Sequence, residues 1–223
     1  SKNSFKNIKY NKIWDSENIF YLKTDIFRIS ALIYHYEIYK KIVNLPGDII
    51  ECGVFKGISL TRFLTFREIL ENAQSRKIYG FDVFGKFPKS KLKSDKKFIK
   101  NWELESGNGI NKDELDKIFL DKKFSNFELI KGDIENNLPI FLKKKPELKI
   151  SLLHLDMDIY EPTKHALEYL FNRVVKGGLI LIDDYAIENG ATKAVDEFLK
   201  INKDLKIQKL NFSYKPSYII KIK

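Results

Sequence analysis

Apolar residues along this chain follow two alternating rhythms, short solid runs and longer stretches with one apolar face. The runs 48–54 (DIIECGV), 77–83 (KIYGFDV), Phe127–Lys131, Ile150–Leu155 and 179–182 are short enough to be strands buried on both faces. Between and around them, apolar residues recur at helical spacing over 24–43, 58–72, 112–122, 161–174 and 191–202. A further short helix is expected over 138–144 with Pro139 in its first turn. Pro162 suits the first turn of 161–174, where a missing N–H has no partner to lose. Gly177-Gly178 is expected to end that helix before the next strand. Two final runs, 205–210 and 217–222, read as an antiparallel pair joined through Tyr214-Lys215-Pro216. The first 19 residues have no clear period and suggest an arm with a short helix near 15–20. The stretch 84–109 is polar and lysine-rich around Trp102, a long loop of the kind that serves as a lid or insertion. Five strand–helix units and a terminal hairpin predict an open, doubly wound α/β sheet.

Composition narrows the class. A chain of 223 residues supports one sizeable core, and no repeat or linker divides it. Its charge of +10 comes almost wholly from lysines that are dispersed except for the run 86–100. Nucleic-acid readers cluster arginine and aromatics on one face, so no nucleic-acid partner is expected. The single cysteine, Cys52, sits in an apolar run as a small core residue; it excludes an internal disulfide and fits a reducing cytoplasm. No apolar run approaches about 18 residues, so a soluble protein without a membrane span is expected. The first residue is Ser1 rather than methionine, as in a trimmed chain or one domain of a longer protein.

The candidate chemistry lies at strand ends. Asp156 and Asp158 follow one strand, and Asp183 and Asp184 follow the next. Parallel crossovers bring both ends to one edge of the sheet, where open α/β folds bind ligands. Four carboxylates in one crevice are expensive without a cation, so the set reads as a metal-binding active site. Helix capping and solvated loop ends would explain one of them but not the full set. Upstream, Glu51, Gly53 and Gly57 form an E-x-G-x-x-x-G turn whose backbone can approach a ligand closely. Asp82 ends the second strand, where such folds hold ribose hydroxyls; capping the next turn is its structural alternative. Asp133, after Gly132, is again an acid at a strand end. His154 alternates with Asp156 and Asp158, either as a satisfied core or cleft residue or as an accessory to catalysis. Helix 24–43, rich in tyrosine, suits a core helix, a lid or a dimer surface.

The pieces PGDIIECGVFKG, GFDVFGKFP, LLHLDMDIYEPT, GGLILIDDY and GATKAVDEFL, in this order, resemble the macrocin O-methyltransferase family of class I S-adenosylmethionine-dependent methyltransferases. The D-x-D-x-Y-E-x-T and I-D-D-Y pieces are specific when taken together. The resemblance implies a Rossmann-like sheet of seven strands with a C-terminal antiparallel hairpin. The matching pieces cover roughly 45–199, and the chain is expected to comprise an N-terminal arm and helix, 1–44, and a methyltransferase domain, 45–223, with an insertion at 84–111. The resemblance also implies Mg²⁺ on Asp156, Asp183 and Asp184, with Asp158 as general base. Cofactor contacts would come from Glu51, Gly53, Val54, Lys56, Gly57, Ser59, Asp82, Phe84, Gly132, Asp133 and Asp156, with Asp133 near the adenine. The implied reaction is methyl transfer from S-adenosylmethionine to a sugar hydroxyl on a nucleotide sugar, glycan or glycosylated natural product. A small catechol or phenol acceptor is the nearest enzymatic rival, and a non-catalytic, methyltransferase-like binding subunit is the rival of another class. A homo-oligomer is a further expectation.

Overall fold

The computed structural model describes residues 12–222. The sequence-based arm at 1–11 therefore lies outside the described residues. The chain opens with α1 (Ile13–Lys23) and α2 (Ile26–Ile42), the latter capped by Asp25, whose side chain accepts from the Phe27 N–H at 2.7 Å. Then follow β1 (Asp48–Cys52), α3 (Ile58–Leu70), β2 (Ile78–Asp82), α4 (Lys93–Ser106), α5 (Lys112–Asp121) and β3 (Phe127–Lys131). The second half runs α6 (Ile134–Lys144), β4 (Ile150–Leu155), α7 (Tyr160–Leu170), β5 (Val174–Ile182), α8 (Asn189–Ile201), β6 (Ile207–Lys209) and β7 (Ser217–Ile220).

The seven strands order as β3-β2-β1-β4-β5-β7-β6, with β7 antiparallel to both of its neighbours and the other pairs parallel. The expected doubly wound sheet and terminal hairpin are both present. Alternation along each buried strand feeds two cores. Ile49, Leu152 and Leu181 pack with α2, α3 and α5, while Ile50, Leu153 and Ile182 pack with α6, α7 and α8. The chain order reverses between β1 and β4, so the loops after these strands flank a crevice at the carboxyl edge.

Three boundaries differ from the sequence reading. Helix α6 starts at Ile134, not 138, because the Asp133 carboxylate caps it by accepting from the Glu135 N–H at 2.9 Å; Pro139 lies inside the helix. Helix α7 ends at Leu170, and after the turn Phe171–Arg173, Val174 is already strand. Gly177-Gly178 lies inside β5, which bulges there: Ile150 pairs with Val174, but Leu152 pairs with Leu179. A Cβ on Gly178 would stand 2.8 Å from Val174 Cγ1, so the bulge needs glycine. The polar stretch 84–109 is also no bare loop, since it carries α4. Its anchor is Asp95, a buried carboxylate accepting from the Tyr160 N–H (2.9 Å) at the start of α7 and from Ser90 Oγ (3.1 Å).

Candidate active site

A cavity of about 840 Å³ opens at the carboxyl edge, walled by the loops after β1, β2, β4 and β5 and by α1, α2 and α4. The β1 loop is tight for a steric reason. Gly53 has φ +91°, and a Cβ there would lie 1.8 Å from the Asp156 carbonyl oxygen, so only glycine lets β1 and β4 close this crevice. Asp82 then shapes the rim. Its Oδ2 accepts from the Val54 and Phe55 N–H groups at 2.8 and 2.9 Å, and its Oδ1 from Phe84 N–H at 2.5 Å. Phe55 and Phe84 both have positive φ, conformations that these contacts help to hold. Burial pushes the Asp82 carboxyl up, and the three backbone bonds oppose that rise.

The cavity wall includes Gly53, Val54, Lys56, Ser59, Asp82, Gly132 and Asp133 among the residues expected to hold a cofactor. Glu51, Gly57 and Phe84 lie behind that wall. Glu51 stands opposite His154 in the β1–β4 register and is fully buried, contacting His154 Nδ1 at 3.1 Å and accepting from Ser59 Oγ at 2.9 Å. Its carboxylate thus joins His154 to Ser59 just behind the cavity wall. Gly57 is the left-handed N-cap of α3, and a Cβ there would meet Leu115 at 2.6 Å. Asp133 has two features at once, since it caps α6 and lines the cavity.

Across the crevice, Asp156, Asp158, Asp183 and Asp184 all line the cavity. Carboxylate oxygens of Asp156, Asp158 and Asp184 lie within 4.8 Å of one another. Burial and the charges of Asp183, Asp184 and Asp158 push the Asp156 carboxyl well up. Burial and Asp184 do the same to Asp158, and Asp184 is pushed up to about 7 by burial and Asp183. Asp184 Oδ2 is buried without a hydrogen-bond partner. Asp158 sits at φ +62°, a strained backbone for a residue other than glycine, where the chain turns from β4 into α7. Asp183 is turned toward other donors, accepting from Tyr34 OH (3.3 Å) and Lys215 Nζ (3.1 Å), and it groups with His35 and His154 within 4.8 Å. Arg62 donates to His35 Nδ1 at 3.3 Å, which leaves the proton on Nε2 and makes that imidazole a poor metal ligand. The carboxylate oxygens of the Asp156, Asp158 and Asp184 cluster, rather than the imidazoles of the other, are the hard donors that suit a divalent cation.

Sequence reasoning did not single out Tyr34, Arg62 or Lys215 for this site. Tyr34 was visible on an apolar helical stripe. Lys215 was legible only through the β5–β7 pairing, in which Ile182 faces Ser217 and sets the preceding residues beside Asp183.

This fold and carboxyl-edge crevice are those of a class I methyltransferase. The model of the macrocin-O-methyltransferase (TylF) family matches residues 35–210, and the chain belongs to that family. Over 152 residues it is 29% identical to the 8-demethyl-8-(2,3-dimethoxy-alpha-L-rhamnosyl)-tetracenomycin-C 4'-O-methyltransferase of Streptomyces olivaceus, covering 65% of this chain and 55% of that protein. The chain thus spans little more than half the length of that relative. Among solved structures it is similar to CalS11, a calicheamicin methyltransferase, with a TM-score of 0.73 at 23% identity over 98% of this chain and 87% of that one. A more distant likeness in fold is MycE of the mycinamycin biosynthetic pathway, solved with Mg and SAH (TM-score 0.51, 16% identity, 85% of this chain and 48% of that one).

Proposed function

We propose that this protein transfers a methyl group from S-adenosylmethionine to a hydroxyl of a sugar or sugar-bearing small molecule, with a divalent cation, Mg²⁺ by preference, in the acidic cleft. The observation that carries this reading is the convergence of buried carboxylates of Asp156, Asp158 and Asp184, one oxygen unpartnered, on the cavity that the Gly53 loop borders. Family membership and the sugar-methylating relative support it. The Mg and SAH of MycE support the cofactor pair. Cytoplasmic residence fits such an enzyme and the buried free Cys52.

Asp156 and Asp184 would hold the cation, with Asp183 joining if it turns from Tyr34 and Lys215. When bound, Mg²⁺ would orient the acceptor's hydroxyl oxygens and lower their pKa. The chain's own residues do the rest. Gly53 and the backbone of Val54 leave room for a ligand at the β1 loop, while Asp82, Gly132 and Asp133 bound the far side. Three backbone donors already use most of the Asp82 carboxylate, which leaves it about one lone pair for a ribose hydroxyl. Asp158 takes the proton from the acceptor hydroxyl as the new oxygen–carbon bond forms and the carbon–sulfur bond breaks. Its raised pKa in the bare cluster favours the protonated form, and positive charge beside Asp184 restores the carboxylate that a base requires. Phe20, Phe27 and Tyr34 of the N-terminal helices wall the acceptor side, and α4 closes the opposite rim, consistent with a lid role for both segments.

The test is calorimetric titration with S-adenosylhomocysteine, followed by methyl-transfer assays on nucleotide sugars, glycosylated natural products and catechols, with and without EDTA. Saturable binding and EDTA-sensitive turnover on a sugar are expected. Turnover confined to catechols would replace the acceptor class, and absence of cofactor binding would defeat the enzymatic reading.

A further inference from the structure

The turn between β6 and β7 delivers one lysine into the acidic cleft. Lys215 Nζ lies 3.1 Å from Asp183 Oδ2 and 3.6 Å from Asp184 Oδ1, with only 18% of its side chain exposed. The ammonium also stands 5.7 Å above the Phe27 ring, and Phe27 stacks on Tyr214 with ring centres 5.4 Å apart. Helix α2 and the turn thus grip the lysine from two sides. Exposed ion pairs contribute little, but this one is mostly out of water and joins two carboxylates at once. It also covers only part of the acidic cluster. Asp184 gives Oδ1 to the lysine while its buried Oδ2, with Asp156 and Asp158 nearby, has no partner.

We infer that Lys215 is a built-in counter-cation of the cleft, holding Asp183 and Asp184 in the metal-free protein and competing with the divalent cation for both. The inference rests on the metal reading above and adds a residue to it. Lysine suits such a task better than arginine, because a point charge on a flexible four-carbon stem can withdraw without breaking a bidentate pair. Its consequence is a cleft that stays folded between metal-binding events and takes up its cation weakly enough to exchange it. Burial works against the ammonium, but Asp183 and Asp184 outweigh it and keep the group charged.

The test is Mn²⁺ binding, read by electron paramagnetic resonance of the free ion, on wild type, Lys215→Met and Lys215→Arg, together with thermal melting in EDTA. Lys215→Met should bind Mn²⁺ about tenfold more tightly or better, because a neighbouring positive charge no longer repels the ion. The same variant should melt at a lower temperature than wild type in EDTA, and Lys215→Arg should recover most of that loss. If the methionine variant does not fold, Lys215→Gln carries the same measurements. Unchanged or weaker Mn²⁺ binding in the variant, where wild type binds, overturns the competition. Wild type that takes up no Mn²⁺ defeats the metal reading itself. An unchanged melting temperature in EDTA overturns the counter-cation independently of the metal.

Discussion

Buried charge sits at both edges of the sheet, and the two edges treat it in opposite ways. At the amino edge, Arg76 is 4% exposed and every direction it points has an acceptor. Its guanidinium meets Glu71 at 2.7 Å, Ser151 Oγ at 2.6 Å, the Gly47 carbonyl at 3.0 Å and the carbonyls of Ile42, Val43 and Leu45 at 3.2–3.3 Å. It ties the end of α2 to the starts of β1 and β4. At the carboxyl edge, Asp156, Asp158 and Asp184 face one another, and Lys215 answers only one side of them. A saturated network of opposite charges holds structure; a buried cluster of like charges with an open oxygen costs stability unless positive charge offsets it. The comparison teaches that burial alone does not mark function. The balance of donors and acceptors does.

Breaking the saturated edge should have the largest effect. Arg76→Ala would leave Glu71 buried, 7% exposed at its side chain, without its cation, and would strand several carbonyls. A loss of about 3–5 kcal/mol is expected, measured by urea denaturation. A variant of wild-type stability would show that this edge tolerates an open charge as the other does. Second in size is Asp158→Asn. Losing a general base costs on the order of 10²–10⁴ in rate, while Mn²⁺ and S-adenosylhomocysteine binding should change little. Turnover near the wild-type rate would remove Asp158 from that role.

The third prediction turns the comparison into a pH experiment. Asp156, Asp158 and Asp184 have folded-state pKa values raised above their unfolded values, with Asp184 at about 7. Between the unfolded carboxylate pKa of about 4 and the folded value, the folded protein binds more protons than the unfolded chain. The contribution of this cluster to stability without metal is therefore most favourable near the acid end and falls as pH rises from about 4 to 7. Saturating Mg²⁺ should flatten that fall, and Asp184→Asn should remove part of it without metal. Melting curves of both proteins in EDTA across this range decide the matter, and the same pH dependence in wild type and variant contradicts the reading.

Much of this was legible in the sequence because its causes are local. Strands buried on both faces read as solid apolar runs, and the four aspartates lie next to the ends of two such runs. What escaped depended on partners far along the chain. The pairing of Glu51 with His154 lies across a β1–β4 register that no local pattern reveals. Lys215 escaped for the same reason. Helix α4 escaped because its short apolar stripe, Phe98, Ile99 and Trp102, is only half-buried and is set among lysines, with Asp95 its one fully buried residue. Val174 was assigned to a helix because Gly177-Gly178 looked like a stop, when the pair makes a bulge within one strand. The Asp133 cap, with Glu135 in the first turn, was visible in the residues, but a ligand role was assigned to it instead.

The smaller tests fall on acids that have satisfied donors yet stand at the functional edge. Asp82→Ala should free the Val54, Phe55 and Phe84 N–H groups, costing about 1–3 kcal/mol of stability and weakening S-adenosylhomocysteine through a loosened loop.

Asp133 gives the smallest and sharpest case, because its two roles predict different losses. As the cap of α6 it satisfies the Glu135 N–H, and Asp133→Ala should cost about 1 kcal/mol, whatever binds in the cavity. As a cofactor contact it should also lower S-adenosylhomocysteine affinity. Asp133→Ser separates the two, since a serine hydroxyl caps nearly as well but carries no charge and reaches less far into the cavity. Stability restored with affinity still reduced would place Asp133 with the cleft. Stability and affinity restored together would place it with Arg76, as a charge whose task ends at the fold.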